Sequence, residues 1–251
     1  MVRTVMEKKV DGGDVYSVLR DDIINLRLRP GAFFSIRDLC AFYNVGRSPG
    51  REALIRLEQE GLVTFLPQRG TMISKLDLER IDNERYIRRS IEENVMRDFV
   101  GMFSNSVILH LEEMIREQRV LHKGGDHRGF LDADDRFHRV FYQGAEREYC
   151  CDVIDKECSN YRRMRLLAQM TDNDAMEKTI EEHVQLVNAV ALRDMERVMS
   201  CFSLHLDQIK SQERKILRRF GDLFQNVSGQ ERRENPDLDT DFLLSLRGHG
   251  L

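Results

Sequence analysis

The chain is 251 residues long, 33% charged and 41% hydrophobic, with no Trp, four Pro and a formal charge of −4. Those figures fit a helix-rich protein of one large or two modest domains, with enough apolar content for a buried core. They leave no run of 18 apolar residues for a membrane span, and Met1 to Val10 lacks the apolar centre of a signal peptide, so a cytoplasmic location is expected.

Cys40, Cys150, Cys151, Cys158 and Cys201 form an odd set with no CxxC pair, which argues against a disulfide framework and reads as reduced thiols in helices. Residues 1–75 hold 12 Lys/Arg against 9 Asp/Glu, and the remainder holds 27 against 34. A mildly basic front on an acidic body fits a small anion-binding module carried by a larger acidic one.

From the N-terminus, Val15, Val18, Leu19, Ile23 and Leu26 recur at helical spacing and predict a helix over 15–28, closed by Arg29-Pro30-Gly31. Phe33-Phe34 is a short extended pair. Ser35-Ile36-Arg37-Asp38 has the serine-to-acid spacing of a capping box and opens a short helix through Leu39, Phe42 and Tyr43. Asn44 and Gly46 accept left-handed backbone, which predicts a tight turn. The next helix is expected to use Ser48 as its cap and Pro49 as its first residue, and to stop at Gly61. Ala53, Leu54 and Leu57 give it an inward stripe, while Arg47 and Arg51 crowd its N-terminal end against the helix dipole. Residues 62–66 then read as a strand, Pro67-Gln68-Arg69-Gly70 as a turn, and 71–74 as the returning strand. Helix, helix, turn, helix and a small two-stranded β-hairpin make a winged helix-turn-helix over residues 1–75.

On their own the two arginines would read as solvated charges on a surface helix. In a winged helix-turn-helix the third helix enters the major groove N-terminus first, so Arg47 and Arg51 reach phosphates or base edges and Ser48 reaches phosphate. Arg37 is placed for the DNA backbone, and Arg69-Gly70 at the wing tip suits a minor groove. Residues 16–73 resemble the N-terminal domain of the GntR family of bacterial transcription regulators. The match is carried by Arg29-Pro30-Gly31, Val45-Gly46-Arg47-Ser48-Pro49-Gly50-Arg51-Glu52-Ala53-Leu54, Glu60-Gly61-Leu62-Val63 and Arg69-Gly70. The resemblance implies DNA contacts from Arg37, Arg47, Ser48, Arg51 and Gly70. Two positions depart from the family pattern: Gly46, where Ser or Thr is usual, and Gly50, where a buried Val or Leu is usual. Gly50 predicts a cost of roughly 1 kcal/mol in helix propensity and a small packing gap.

Lys75-Leu76-Asp77 is a short, polar junction and predicts a hinge. Beyond it only helix patterns occur, over 78–103, 105–122, 128–143, 148–169, 174–192 and 194–219. They predict an all-α antiparallel helical bundle over 76–220, serving effector binding and dimerisation. Residues 221–251 have few periodic apolar positions and include Gln230-Glu231-Arg232-Arg233-Glu234-Asn235-Pro236, so a mostly disordered tail is expected. The fold class is therefore mainly α, a winged helix-turn-helix followed by a helical bundle.

Within the bundle, Asp134 and His138 share one helix face, His183 lies on the next helix but one, and His205 on the last. One acid and three imidazoles from three helices could close on a divalent transition metal, or be ordinary hydrogen-bonded core residues. Asp134-Asp135-Arg136-Phe137-His138, Glu182-His183 and Cys201-Phe202-Ser203-Leu204-His205-Leu206 resemble the FCD effector domain of the FadR-type subgroup. That resemblance implies a bundle holding a metal on one Asp and three His, here Asp134, His138, His183 and His205. Zinc, nickel, manganese and iron all suit such ligands. Arg88-Arg89-Ser90-Ile91-Glu92 matches the family's Arg-Arg-x-x-Glu pattern, whose arginines serve either a carboxylate ligand or helix packing. Tyr161-Arg162-Arg163-Met164-Arg165 offers a further cation, Arg165, although most of this run reads as a solvated basic face. Arg88 and Arg165 are thus the candidate effector-binding residues.

The function expected is a ligand-responsive transcription regulator, not an enzyme. It would bind operator DNA as a homodimer, with a small organic acid near the metal as effector. A metal-dependent hydrolase is the rival, since three His and an Asp could activate water, but no His-Glu-x-x-His run or paired base accompanies them. A structural metal bundle with a weakened DNA module is a third reading.

Overall fold

The computed structural model describes residues 14–171 and 174–226, which divide into two compact units. One joins 14–78 with 221–226, and the other is Glu79–Phe220.

In the first unit, helix α1 (Val15–Ile24) is capped by Asp14, whose side chain accepts from the Tyr16 amide. It ends before the last apolar position of its pattern, because Leu26 takes a left-handed φ of 53° and turns fully into the core. Strand β1 (Phe33–Phe34) leads to α2 (Ile36–Tyr43), which opens on the capping box of Ser35 and Asp38 and closes at left-handed Asn44. Buried Tyr43 ties α2 back to α1 by donating to Asp22 Oδ2 (2.9 Å). Helix α3 (Arg47–Gln59) has Gly46 as its N-cap, in extended backbone and with no side-chain cap. This corrects the cap expected at Ser48: Ser48 and Pro49 are the second and third helical residues. Pro is tolerated there because first-turn amides have no helical acceptor. Gly61, at a φ of 71°, ends the helix as expected.

Strands β2 (Val63–Leu66) and β3 (Gly70–Ile73) form the hairpin. The sheet has three strands rather than two, in the order β1-β3-β2, since Phe33 and Phe34 pair with Met72 and Thr71. Leu19, Ile23, Tyr43, Leu54, Leu57 and Ile73 fill the core between helices and sheet. The gap expected at Gly50 is absent: a Cβ there would sit 3.1 Å from Leu39 Cδ2, 3.3 Å from Cys40 Sγ and 3.4 Å from Ile36 Cδ1. Side chains of α2 have closed over the glycine.

The chain returns to this unit after the bundle. Gly221–Leu223 forms a 3-10 turn, the Leu76 amide donates to the Leu223 carbonyl (2.9 Å), and the Gln225 amide donates to the Leu76 carbonyl (2.8 Å). Asp222 pairs with Arg29, and Leu76, Leu223 and Phe224 are buried. Leu76 is therefore core, not part of a polar junction. The disorder expected from Gly221 onward does not hold for 221–226, because apolar Leu223 and Phe224 have a place to bury. Residues 227–251, with the Gln230-to-Pro236 run, lie outside the described residues.

The second unit contains α4 (Leu78–Met102), α5 (Ser106–Lys123), α6 (His127–Gly144), α7 (Glu148–Glu157), α8 (Ser159–Thr171), α9 (Ala175–Ala191) and α10 (Met195–Phe220). Phe99, Phe130, Phe137, Phe141 and Phe202 dominate its core. The single helix expected over 148–169 is two, divided at Cys158. Buried Glu84 on α4 explains the break: its carboxylate accepts from the Tyr161 amide (2.8 Å) and from Asn160 Nδ2 (2.9 Å). A carboxylate at free first-turn amides stabilises a new helix start there. No helix among the described residues is long and apolar enough to cross a membrane.

Candidate metal centre and nucleic-acid face

Asp134 and His138 on α6, His183 on α9 and His205 on α10 come together as expected from the sequence. Each offers a ligand atom, and these atoms lie within 4.8 Å of one another. Nε2 of His138 is 3.1 Å from Nε2 of His205, and Nε2 of His183 is 3.3 Å from Asp134 Oδ1. Phe137 stacks on the His183 ring (4.1 Å between centroids), and Phe141 and Phe202 pack around His138, so the cluster has apolar walls.

The outer nitrogens fix how the rings present themselves. His183 Nδ1 donates to Gln118 Oε1 (2.9 Å), and His205 Nδ1 donates to Glu182 Oε2 (2.8 Å). Glu92 Oε1 faces His138 Nδ1 at 3.4 Å, an ion-pair distance. With the proton on each Nδ1, the three Nε2 lone pairs point at one another and at a carboxylate. His183 Nε2 and Asp134 Oδ1 are buried and have no hydrogen-bond partner among the described residues. Three nitrogens and one oxygen converging in this way suit a divalent transition ion. Outer-shell oxygens of this kind orient metal-binding imidazoles and raise their basicity.

Protonation agrees with that role. Burial pushes His183 well below the ordinary histidine range, helped by His205, and burial lowers His138 against the pull of Glu92. Burial acts to raise Asp134, but the Arg165 guanidinium overcomes it and holds the carboxyl far below its usual range. Glu92, buried as well, is brought down to about 2 by Arg88 and His138. Neutral imidazoles and an ionised carboxylate are the forms that bind metal.

Gln118, Glu92 and Glu182 were not expected as supports. Glu182 shows why: it adjoins His183 in sequence but serves His205, one helix away. Glu92 stood in the Arg-Arg-x-x-Glu motif, four residues from Arg88, and the same spacing that pairs the two places Glu92 against His138.

A small cavity of about 30 Å³ opens beside the cluster. Its lining includes Arg88, Arg165, Asp134 and His205, the polar Gln169, Thr179, Gln208 and Gln212, and the side chains of Tyr161, Ala168, Ala175, Leu206 and Ile209. Arg88 and Arg165 both line it, and both have protein partners. Arg165 pairs with Asp134 and with Asp135 (2.6 Å), and Arg88 lies 3.1 Å from Glu92. The solvated basic face expected over 161–165 is overturned. Arg163 and Arg165 are buried, and Arg162 pairs with Asp132 and Asp135. The acids that neutralise Arg162 and Arg165 sit on α6, which lies far away in sequence.

In the other unit, Arg37, Arg47, Ser48, Arg51, Arg69 and Gly70 are all exposed. Arg37, Arg47 and Arg51 form no ion pair among the described residues. The start of α3 has no side-chain cap, which leaves its first amides open to an anion. Arg69 lies over the Phe33 ring at 5.1 Å. Gly70 has a local duty as well: at a φ of 98°, its Cβ would meet the Phe34 carbonyl oxygen at 2.7 Å, so β1 can pair only against a glycine.

Comparison with known proteins places these features. Residues 12–73 match the model of the bacterial regulatory proteins of the gntR family, and residues 86–208 match the FCD domain. The chain belongs to the GntR family, with an FCD effector domain. This GntR-family chain is 29% identical over 210 residues to the HTH-type transcriptional repressor RspR of Escherichia coli K12, covering 84% of the chain and 92% of that protein. It is 25% identical over 196 residues to the Nta operon transcriptional regulator of Aminobacter aminovorans, covering 74% and 88%. Among solved structures, Escherichia coli McbR/YncC superposes with a TM-score of 0.68 at 17% identity, over 88% of this chain and all (100%) of that one. A transcriptional regulator GntR from Rhodococcus sp. RHA1, described as putative, gives 0.63 at 25% identity, over 82% and 97%. This GntR/FCD protein is a ligand-responsive DNA-binding transcription regulator, not an enzyme. FCD domains commonly bind metal, and the buried Asp/His cluster is fit to hold one.

Proposed function

We propose that this regulator works in the cytoplasm as a homodimer on a pseudo-palindromic operator, released or locked by a small organic acid bound beside a metal ion. The reading is carried by four convergent donors, two of them buried without a partner, next to a cavity that holds two guanidiniums. Asp134, His138, His183 and His205 hold the ion, which is zinc, nickel, manganese or iron. Bound there, the metal supplies a Lewis-acidic anchor and braces three helices. Arg88 and Arg165 take the acid's carboxylate, with Arg165 giving up part of its pairing to Asp134 and Asp135.

On DNA, the start of α3 enters the major groove. Arg47 and Arg51 reach phosphates or base edges, Ser48 and the uncapped amides take a phosphate, Arg37 holds the backbone, and Arg69-Gly70 reaches the minor groove. Two copies are needed because one α3 spans only one half-site.

Footprinting on the protein's own upstream DNA tests the reading. Protection of two half-sites about one helical turn apart is expected. Arg51→Ala should weaken binding about tenfold and leave metal content unchanged. Absence of any sequence-specific protection at moderate salt would overturn it.

A further inference from the structure

The small sheet of the DNA module holds an aromatic ring that its core does not use. On β1, Phe34 turns inward and is 5% exposed, whereas Phe33 turns outward, is 42% exposed and lies outside the cluster of buried residues. One exposed ring is ordinary; what sets Phe33 apart is the charge above it. Cζ of Arg69 lies over the ring, 5.1 Å from its centroid, within reach of a cation–π attraction. The backbone brings the two together. Arg69 stands in the turn between β2 and β3, flanked by left-handed Gln68 (φ 62°) and Gly70 (φ 98°), and its amide donates to the Leu66 carbonyl (3.1 Å). Strand β1 pairs with β3 through Phe33 and Met72 and through Phe34 and Thr71, so it runs back alongside that turn. The approach is close enough to require glycine at position 70, where a Cβ would meet the Phe34 carbonyl oxygen at 2.7 Å.

We infer that Phe33 is a positioning residue for the wing, its ring holding the Arg69 guanidinium in the orientation that enters the minor groove. The inference rests on the minor-groove reading of Arg69-Gly70 proposed above. An arginine on a turn samples many rotamers and loses that freedom on binding; a ring beneath it removes part of the loss beforehand. A carboxylate could hold the side chain as well, but would cancel the charge that the DNA attracts. An aromatic face holds a cation without neutralising it, and leaves the N–H edge of the guanidinium for groove acceptors. Arg69 forms no ion pair among the described residues, which keeps that charge available. Because a narrow, A·T-rich minor groove attracts arginine most strongly, losing the ring should weaken base preference under the wing as well as affinity.

The test uses the full chain and a duplex selected from a random pool by the wild-type protein. Hydroxyl-radical protection locates the base pairs under the wing, which are then set to all A·T or all G·C. Phe33→Ile keeps a strand-forming side chain and removes the π face, whereas Phe33→Tyr keeps the face. Isoleucine should weaken binding to the A·T duplex about threefold and shrink the A·T-over-G·C ratio, with the melting temperature nearly unchanged; tyrosine should retain wild-type values. In Arg69→Ala the ring has nothing to hold, so adding Phe33→Ile should cost nothing further. Phe33→Leu gives the same comparison if isoleucine disturbs the strand. Equal losses from Phe33→Ile with and without Arg69, or no loss from Phe33→Ile while Arg69→Ala weakens binding, would overturn the inference and leave the wing reading standing. Wild-type binding by Arg69→Ala, or failure to select any duplex, would overturn the wing reading and the inference with it.

Discussion

Arg163 and Arg165 in the bundle and Arg47 and Arg51 in the DNA module come from similarly basic stretches, Arg162-Arg163-Met164-Arg165 and Arg47-Ser48-Pro49-Gly50-Arg51. The first pair is buried and committed: Arg165 to Asp134 and Asp135, Arg163 to Asn160. The second is exposed and forms no ion pair among the described residues. The difference lies in what the neighbouring helices bring. Acids on α6 meet α8, whereas no acid of α2 pairs with the start of α3. A buried, paired arginine holds a site in shape, and removing its partner strands a charge. An exposed arginine without an ion pair adds little to the fold and remains open to an anion.

That contrast breaks most visibly at Asp134. Asp134→Ala takes away a proposed metal ligand and leaves Arg165 with Asp135 alone, in a buried site. A loss of about 3–5 kcal/mol is expected from stranding the charge, together with loss of bound metal. Thermal unfolding and elemental analysis of untagged protein check both. An unchanged metal content with unchanged stability would show that the cluster is not a metal site.

The second break concerns packing rather than charge. Gly50 lies under Leu39, Cys40 and Ile36 with no room for a branched side chain. Gly50→Val should lower stability by about 1–3 kcal/mol through overpacking, whereas Gly50→Ala should be close to neutral, since its gain of roughly 1 kcal/mol in helix propensity offsets the tight Cβ. Stabilisation by valine would show that α2 yields readily.

The third is smaller. Asp222 and Arg29, each about one-fifth exposed at 21% and 18%, fasten the segment after α10 to the DNA module. Asp222→Ala should cost at most about 1 kcal/mol, because the two backbone bonds to Leu76 and the burial of Leu223 and Phe224 remain. Hydrogen exchange at the Gln225 amide should rise measurably. Protection equal to wild type would mean that the backbone bonds alone hold the segment.

Much of this was legible in the residues, and what escaped has a common cause. Local signals held: the Ser35/Asp38 capping box, the stop at Gly61, the inward stripe of α3 and the one-sided pair of Asp134 and His138 all depend on neighbours a few residues away. The supports of the metal cluster escaped because Gln118 and Glu182 act across helices, on rings that no spacing rule connects to them. The break at Cys158 escaped for the same reason, since it is imposed by Glu84 on α4. The run 161–165 misled because a basic run looks solvated until its acids, Asp132, Asp134 and Asp135, are placed beside it. Gly50 misled differently: a missing side chain was read as a gap, but neighbouring side chains shift to fill one.

Gly46 is where the contrast is finest. It caps α3 without a side chain, and a Cβ there would meet only Pro49, at 3.6 Å from Cδ and 3.7 Å from Cγ, ordinary contact distances. A serine therefore fits, and its hydroxyl would satisfy a first-turn amide that the native helix leaves open. Gly46→Ser should stabilise the module by only a few tenths of a kcal/mol, the difference between serine and glycine as caps. Its effect on DNA should run the other way if those open amides hold a phosphate, since a hydroxyl bonded to them competes with the anion at the same donors. A slightly higher melting temperature with weaker operator binding is the expected combination. Tighter binding would mean that the ordered helix start matters more to the complex than its free amides do.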